Sequence, residues 1–180
     1  MLQQRRVDPG TDKAFVCELH CQGNYASDTP WARKVSYEAY REQWFSTPQP
    51  GEFLSAVERS LSDPRTLAEV WMDDGQPIAF LWMTFTDLRG YGITFAEVNG
   101  IDIVESHRRR GIGTLILERA ERAAREAGAA VLRAETGIEN QASQGLIAKC
   151  GLSTYRLQYE KVIARTEPSL PDQQDGRPGE

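Results

Sequence analysis

At residues 105–114 the chain reads Glu-Ser-His-Arg-Arg-Arg-Gly-Ile-Gly-Thr, after an apolar run ending at Val104 and where an amphipathic pattern, Gly111 to Ala127, begins. The run predicts a β-strand, and the pattern predicts a helix. A glycine-containing turn at a helix start can hold a pyrophosphate, because unpaired N–H groups and the helix dipole attract anions. Glycine also lets a phosphate approach the main chain closely. The stretch therefore predicts a strand–turn–helix unit that binds a diphosphate.

The spacing of this turn excludes two common nucleotide-binding patterns. It lacks the GxxxxGK[ST] sequence of nucleotide-hydrolysing P-loops and the third glycine of the dinucleotide-binding fingerprint. The spacing Arg-x-x-Gly-x-Gly instead resembles the acyl-CoA-binding motif of the GNAT superfamily of N-acyltransferases. A solvated basic turn and a site for nucleic-acid phosphates are the alternatives. The resemblance implies that the diphosphate of acetyl-CoA, or of another acyl-CoA, is bound by Arg108, Arg109, Arg110, Gly111, Ile112, Gly113 and Thr114.

A second segment, Asn140 to Leu152, strengthens the resemblance. It reads Asn-Gln-Ala-Ser-Gln-Gly-Leu-Ile-Ala-Lys-Cys-Gly-Leu and is similar to the family pattern Asn-x-x-Ala-x-x-Leu-Tyr-x-Lys-x-Gly-Phe. In that family the matching asparagine contacts the pantetheine or diphosphate region, so the resemblance adds Asn140 to the cofactor-binding residues. It also implies that the main-chain amides near Ile103 and Val104 pair with the pantetheine arm as a β-strand would.

One position departs from the family pattern. The tyrosine that usually protonates the leaving thiolate falls on Ile147 in this chain. The loss is tolerable because a thiol with a pKa near ~8.5 leaves readily as thiolate. Tyr155, Tyr159 or a water molecule could donate the proton instead, although strand packing also accounts for both tyrosines.

Two carboxylates on the strand before the turn are candidates for the general base. An alkylammonium has a pKa near ~10.4, so deprotonating it at pH 7 costs roughly 4.6 kcal/mol, and a positioned base can share that cost. Glu97 stands eleven residues before Arg108 and is similar in position to the glutamate base of the histone-acetyltransferase branch. Asp102 is its competitor. The alternative interpretation of Glu97 is a surface carboxylate at a strand start.

Strand geometry leaves the choice between these two open. Strict alternation would place Glu97 on one face with Ile101 and Ile103, and Asp102 on the other. A bulge at Asn99-Gly100 would break that alternation. The sequence therefore predicts one base without deciding which carboxylate faces the substrate.

Composition narrows the class of protein. The chain has 180 residues, which suits one domain, and a net charge of −5, which disfavours a nucleic-acid binder and suits a cationic amine. No apolar run approaches the ~20 residues that span a bilayer, and the N-terminus lacks the apolar core of a signal peptide. Cys17, Cys21 and Cys150 have no second ligand pair at zinc-site spacing, so we expect free thiols, no metal and a cytoplasmic location.

Hydrophobic periodicity predicts helices first and then a sheet. The expected helices are Asp12–Gln22, Ser36–Phe45, Glu52–Ser60, Gly111–Ala127 and Asn140–Lys149. The expected strands are Gln3–Val7, Thr66–Met72, Pro77–Phe85, Thr94–Val104, Ala130–Glu135 and Leu152–Ile163. We expect one domain over residues 1–165 and a disordered tail over 166–180, which is rich in Pro, Asp, Gln and Gly.

The order of these elements resembles the GNAT fold, strongly over residues 66–163 and more weakly over 1–65. The fold class is therefore α/β, with a mixed, mostly antiparallel central sheet flanked by helices. By resemblance, the sheet is splayed where Thr94–Val104 meets Ala130–Glu135, and the pantetheine pairs with the backbone groups left there.

The resulting functional prediction is an N-acetyltransferase that moves an acetyl group from acetyl-CoA to a primary amine by direct attack in a ternary complex. The acceptor is a small molecule or a peptide. A catalytically weak acyl-CoA sensor is the first alternative, supported by Ile147, and a nucleic-acid-binding module is the second. Apolar residues along Leu152–Ile163 predict a homodimer, unless they pack on helices of their own subunit.

Overall fold

The computed structural model describes residues 1–27 and 35–159. Within them the strands are β1 (Gln3–Arg6), β2 (Leu67–Asp73), β3 (Gln76–Leu88), β4 (Ile93–Ile103) and β5 (Val131–Ala134). The α-helices are α1 (Lys13–Ser27), α2 (Tyr37–Ser46), α3 (Gln49–Ser60), α4 (Ile112–Glu126) and α5 (Gln141–Lys149). Short 3-10 turns at Arg89–Tyr91 and Glu105–His107 follow β3 and β4.

The strands form one sheet in the order β1-β2-β3-β4-β5. All neighbours are antiparallel except β4 and β5, which are parallel. The β2–β3 hairpin closes at Asp74 and Gly75, whose φ values of 45° and 77° belong to a turn that matches strand twist. The predicted α/β fold, with a mostly antiparallel sheet flanked by helices, is confirmed.

Helices cover both faces of the sheet because β3 is apolar on both sides. Leu81 and Met83 share one buried cluster with Ile112 and Ile116 of α4. Phe80, the residue before Leu81, belongs to a second cluster with residues of α1, α2 and α3. The α4 face and the α1 face of the sheet are thereby defined, and every residue of β4 can be assigned to one of them.

β4 contains a β-bulge at Asn99. Trp82 of β3 pairs with Gly100, and the next residue, Met83, pairs with Val98, so Asn99 has no partner in the register. The Asn99 side chain donates hydrogen bonds to Thr84 Oγ1 (2.9 Å) and to the Glu97 carbonyl (3.2 Å), which holds the extra residue in place. A bulge shifts the alternation of side chains by one residue.

β4 and β5 separate soon after they pair. Their register runs from Phe95–Val131 to Val98–Ala134 and ends there. Beyond that point β4 has β3 on one side and no strand of the described residues on the other. The predicted splay is therefore present, and it leaves one side of β4 open up to the turn that precedes α4.

Several predicted boundaries need correction. α1 continues through Gly23 to Ser27, because Gly23 packs against β4 and the helix gains a tertiary contact there. α3 begins at Gln49 and includes Pro50 in its first turn, where a missing N–H breaks no hydrogen bond.

The predicted strand Leu152–Ile163 is not formed over its described part. Residues 152–159 carry no strand, because no strand of the described residues pairs with them. Residues 160–163 and the predicted tail 166–180 lie outside the described residues.

Candidate active site

The arginine turn presents a bare helix N-terminus. Arg109 and Gly111 both have left-handed backbone conformations, with φ values of 60° and 82°, and α4 begins immediately afterwards. No side chain caps α4 at Gly111. Alternating backbone conformations of this kind point successive N–H groups toward one concavity that suits an anion. The amides at the start of α4 are therefore available to a phosphate group.

The three arginines surround this turn and are all exposed. Arg108 folds back, and its Nε donates a hydrogen bond to the carbonyl of Ile103 at 2.8 Å. Arg109 and Arg110 form no ion pair with any described residue. Their charges are thus available to an anionic ligand.

Gly113 is fixed by packing between α4 and its neighbours. A Cβ at this position would lie 3.0 Å from Leu146 Cδ2 of α5 and 3.5 Å from Ile103 Cδ1. The side chain of the preceding residue, Ile112, is buried against the sheet. Gly113 therefore lets α4 and α5 close on the end of β4, and Ile112 offers a ligand its amide rather than its side chain.

The end of β4 presents one free amide toward the open side. The Val104 N–H donates a hydrogen bond to the Ile78 carbonyl (2.9 Å), and the Val104 carbonyl accepts one from the His107 N–H (2.9 Å). Neighbouring residues of an antiparallel strand direct their main-chain groups to opposite sides. Ile103 consequently directs its N–H to the splay. Of the two amides predicted to pair with pantetheine, Ile103 offers the free one.

Asn140 joins α5 to the end of α1. Its Oδ1 accepts a hydrogen bond from the Ser143 amide (3.1 Å), which caps α5, and its Nδ2 donates to Ser27 Oγ (3.1 Å). Gly137 lies so close to Ser27 that an added Cβ would fall 2.0 Å from the Ser27 carbonyl oxygen. Asn140 thus links α5 to the end of α1, and both ends of its side chain are already bonded.

The bulge places both candidate carboxylates on the same face of β4. Glu97 lies opposite Thr84, and Asp102 lies opposite Phe80, which belongs to the α1-face cluster. Ile101 and Ile103 pack instead on the α4-face cluster. The strict alternation that grouped Glu97 with the two isoleucines is therefore wrong, and the bulge alternative is correct.

The two carboxylates differ in environment. Glu97 is exposed and stands one residue before the last β4–β5 pair. Asp102 lies under α1, where a Cβ added to Gly23 would be 2.4 Å from its Oδ1. Burial raises the pKa of Asp102 to about 7, although the positive charge of Arg108 partly opposes that rise. Glu97 is open to an acceptor, whereas Asp102 is shielded.

Tyr155 lies beside Arg133 of β5. Its ring is 63% exposed and lies 5.0 Å from the guanidinium of Arg133 on β5. Tyr159 is more exposed still, and Ile147 is half-buried on α5. The tyrosines therefore do not pack in a strand, which was the alternative interpretation of their pattern.

Sequence reasoning missed Arg133. It pairs with Glu97 in the β4–β5 register and contacts the Phe95 ring at 3.8 Å. The only available signal was a single charge in an otherwise apolar strand, Ala130 to Ala134.

No helix of the described residues is both long and apolar enough to span a membrane. Within residues 1–27 and 35–159, no three potential metal-binding side chains cluster.

Comparison with known proteins gives one family. The model of the acetyltransferase (GNAT) family matches residues 27–152, which is more than half of the chain. No curated protein sequence is significantly similar to the chain.

Solved structures share the architecture. The chain is similar to a putative acetyl transferase from Pyrococcus furiosus, with 23% identity and a TM-score of 0.64, over 91% of this chain and 100% of that one. It is similar to a GCN5-related N-acetyltransferase from Ralstonia eutropha JMP134, with 18% identity, a TM-score of 0.65 and coverages of 91% and 100%. It is also similar to AAC(6')-Iy in complex with the bisubstrate analog CoA-S-monomethyl-acetylneamine, with 18% identity, a TM-score of 0.61 and coverages of 91% and 99%. At these identities the likeness establishes the fold.

Proposed function

The chain belongs to the acetyltransferase (GNAT) family, and we propose that it transfers an acetyl group from acetyl-CoA to a primary amine in a ternary complex. One observation carries the proposal: the open side of β4 runs from an uncapped helix N-terminus to an exposed carboxylate where β4 and β5 part. That arrangement suits an extended cofactor with a diphosphate at one end and a reactive group at the other.

The residues at the turn fit the cofactor. Diphosphate binding needs bare amides and positive charge, and the uncapped start of α4 with exposed Arg109 and Arg110 offers both. Ile103 offers a strand-like amide to the pantetheine arm, while Arg108 stabilises the end of β4 through the Ile103 carbonyl. When bound, acetyl-CoA supplies a thioester whose carbonyl carbon accepts the amine and whose thiol leaves.

Glu97 is our candidate for the general base. It lies where the strands separate and is open to solvent, so an acceptor ammonium can approach it directly or through one water. Asp102 stands five residues further along β4, beneath α1. With its pKa near 7 it accepts a proton readily, and it is the alternative base if the amine binds deeper under α1.

A pH–rate profile of acetyl transfer distinguishes the two bases. If Glu97 is the base, Glu97→Gln should lower kcat/KM by roughly 10²–10⁴-fold. Asp102→Asn should then leave the acidic limb of the profile in place. Loss of a limb near pH 7 in Asp102→Asn, with normal turnover in Glu97→Gln, would assign the role to Asp102. Glu118→Gln, on the exposed side of α4, is the matched control.

The proton donor to the leaving thiol is less constrained, because Ile147 carries no ionisable group. Tyr155 is the candidate donor, since its exposed ring lies beside Arg133 on the face that carries Glu97. A donor is dispensable when the thiolate leaves unaided. We expect Tyr155→Phe to lower kcat modestly and mainly below pH 8, and an unchanged profile would remove Tyr155 from the mechanism.

The cofactor site is tested by charge at the start of α4. Thr114→Glu places a carboxylate in the first helical turn, where it favours the helix and repels the diphosphate. Thr114→Gln has the same size without the charge and is the control. Calorimetry should show loss of CoA binding in the first variant only. Gly113→Asp is a poorer test, because any side chain there also meets Leu146.

An acyl-CoA sensor without turnover is the second candidate, and Ile147 in place of the family tyrosine favours it. Measuring CoA release with a panel of amines separates the two functions. Release above the rate of hydrolysis supports the transferase, and CoA binding without release from any amine supports the sensor.

We further propose a cytoplasmic homodimer. Tyr155, Leu157 and Tyr159 expose large apolar surfaces, and β5 is an edge strand among the described residues; subunits bury surfaces of this kind. Cys17 and Cys150 are free thiols, which is in keeping with a reducing compartment. Light scattering at micromolar concentration should give twice 20.2 kDa, and a mass near 20.2 kDa would refute the dimer.

A further inference from the structure

A cationic side chain faces Glu97 across the point where β4 and β5 separate. Arg133 is the register partner of Glu97, and paired residues of neighbouring strands direct their side chains to the same face. Phe95, two residues before Glu97 and therefore also on that face, contacts the Arg133 guanidinium. Leu132 and Ala134 pack on the opposite, α4-face cluster, in agreement with this assignment. Arg133 and Glu97 thus border the same open region.

The guanidinium is held by rings rather than by a counter-ion. Its central carbon lies 3.8 Å from the centroid of Phe95 and 5.0 Å from that of Tyr155. Its Nε is buried and has no hydrogen-bond partner among the described residues. No described carboxylate forms an ion pair with it. Aromatic contacts orient a guanidinium without neutralising its charge.

We propose that Arg133 binds the carboxylate of the acceptor, and that the acceptor is an amino-acid-like molecule whose amine is directed to Glu97. The inference rests on the proposed acetyl transfer. A guanidinium binds a carboxylate through two parallel N–H···O bonds, for which its planar fork is suited. Neighbouring strands are ~4.8 Å apart, so a carboxylate at Arg133 and an amine near Glu97 are separated by the few atoms found in an α- or β-amino acid.

The test compares each of a panel of L-amino acids with its own carboxamide. The two members of a pair share the amine and the side chain and differ in the negative charge. We expect the wild-type protein to favour the free acid in kcat/KM, and Arg133→Met to lower that preference by roughly 10- to 100-fold, which is the range of a charged hydrogen bond. Methionine keeps an unbranched apolar stem against Phe95 and Tyr155.

Two further variants separate carboxylate binding from packing. Arg156→Met removes an exposed arginine that also lies near the Tyr155 ring, at 5.6 Å, and should retain the wild-type preference. Arg133→Lys keeps a point charge and should restore part of it. If Arg156→Met loses the preference as Arg133→Met does, or if Arg133→Lys restores none of it, the effect belongs to packing around Tyr155 and the proposal is overturned.

Binding in the presence of CoA makes the result independent of turnover. Calorimetry with CoA and either member of a pair measures acceptor affinity in a complex that cannot react. Tighter binding of the free acid than of the carboxamide, lost in Arg133→Met, supports the carboxylate site. It does so even if no amine is acetylated, because the absence of acetylation refutes the transferase and not the carboxylate site. Equal affinity for the free acid and the carboxamide, or no measurable affinity for either, overturns the carboxylate site. CoA release with amines that carry no carboxylate would still support the transferase in that case.

Discussion

Replacing Asp102 by asparagine is expected to stabilise the folded protein increasingly as the pH rises. Burial beneath α1 raises the pKa of Asp102 to about 7, whereas a carboxyl of the unfolded chain has a pKa near ~3.9. The folded chain therefore binds the proton more tightly than the unfolded chain does. The protonated Asp102 carboxyl therefore makes its full contribution to the free energy of unfolding below about pH 4, and this contribution is lost as the pH rises through about 7.

The size of the effect follows from the difference between the two pKa values. About three units correspond to at most about 4 kcal/mol at alkaline pH, where the folded state must bury a charge. Asparagine has nearly the shape of the protonated acid and does not ionise. The advantage of Asp102→Asn over wild type should therefore grow by about 2–3 kcal/mol between pH 5 and pH 8.

Urea unfolding at pH 5, 6, 7 and 8 measures this directly. Asp12→Asn is the control, because the pKa of Asp12 is shifted in the direction opposite to that of Asp102. Arg5 donates hydrogen bonds to both carboxylate oxygens of Asp12, at 2.6 and 2.7 Å, and holds the pKa of that carboxyl below its usual range. It should destabilise the protein at every one of these pH values by a nearly constant amount. A difference between Asp102→Asn and wild type that stays constant from pH 5 to pH 8 would refute the reasoning.

Three other changes test the packing around the site. Burial lowers the pKa of His20, whose ring stacks on Phe53, to about 4, so the contribution of His20 to the unfolding free energy should fall by at most about 3 kcal/mol between pH 6.5 and pH 4. The unfolding free energy of His20→Phe relative to wild type should rise by that amount over the same range in urea titrations, because the titration of Asp102 is common to both proteins. Gly23→Ala puts a methyl group 2.4 Å from Asp102 Oδ1 and should cost about 1–3 kcal/mol in thermal unfolding, whereas Gly51→Ala, with open space around it, should cost nothing. Arg119→Met leaves the buried carboxylate of Glu69 without its 2.8 Å partner and should cost about 3 kcal/mol, most of which the double variant with Glu69→Met should recover; equal losses in single and double variants would contradict this.

Local sequence signals predicted the elements around the arginine turn well. The Asp73–Gln76 hairpin, the strand before Arg108 and the helix after Gly111 follow from turn chemistry and from a change of hydrophobic period, and these act over a few residues. The order of the predicted elements resembles that of a known fold, and the sheet topology was predicted from this resemblance. Recognition of the family rested on the same short segments.

Features that depend on a neighbouring element could not be read in this way. The end of α1 depends on the contact between Gly23 and Asp102, which are distant in sequence. The proximity of Arg133 to Glu97 depends on the register of two strands separated by α4. The alternating residues Leu152 to Tyr159 have the composition of a strand, but no described strand pairs with them, and alternation alone does not supply a partner.

Asn99 has a consequence for how relatives of this chain should be aligned. It is one inserted residue, and it exchanges the α4 face and the α1 face for everything that follows it in β4. Deleting it would place the Asp102 side chain on the α4 face and the side chains of Ile101 and Ile103 on the α1 face. No single substitution in the strand would produce so large a change. A relative without the insertion would carry the counterpart of Asp102 at a position shifted by one, so a gapless alignment would compare an acidic residue of one protein with a core residue of the other.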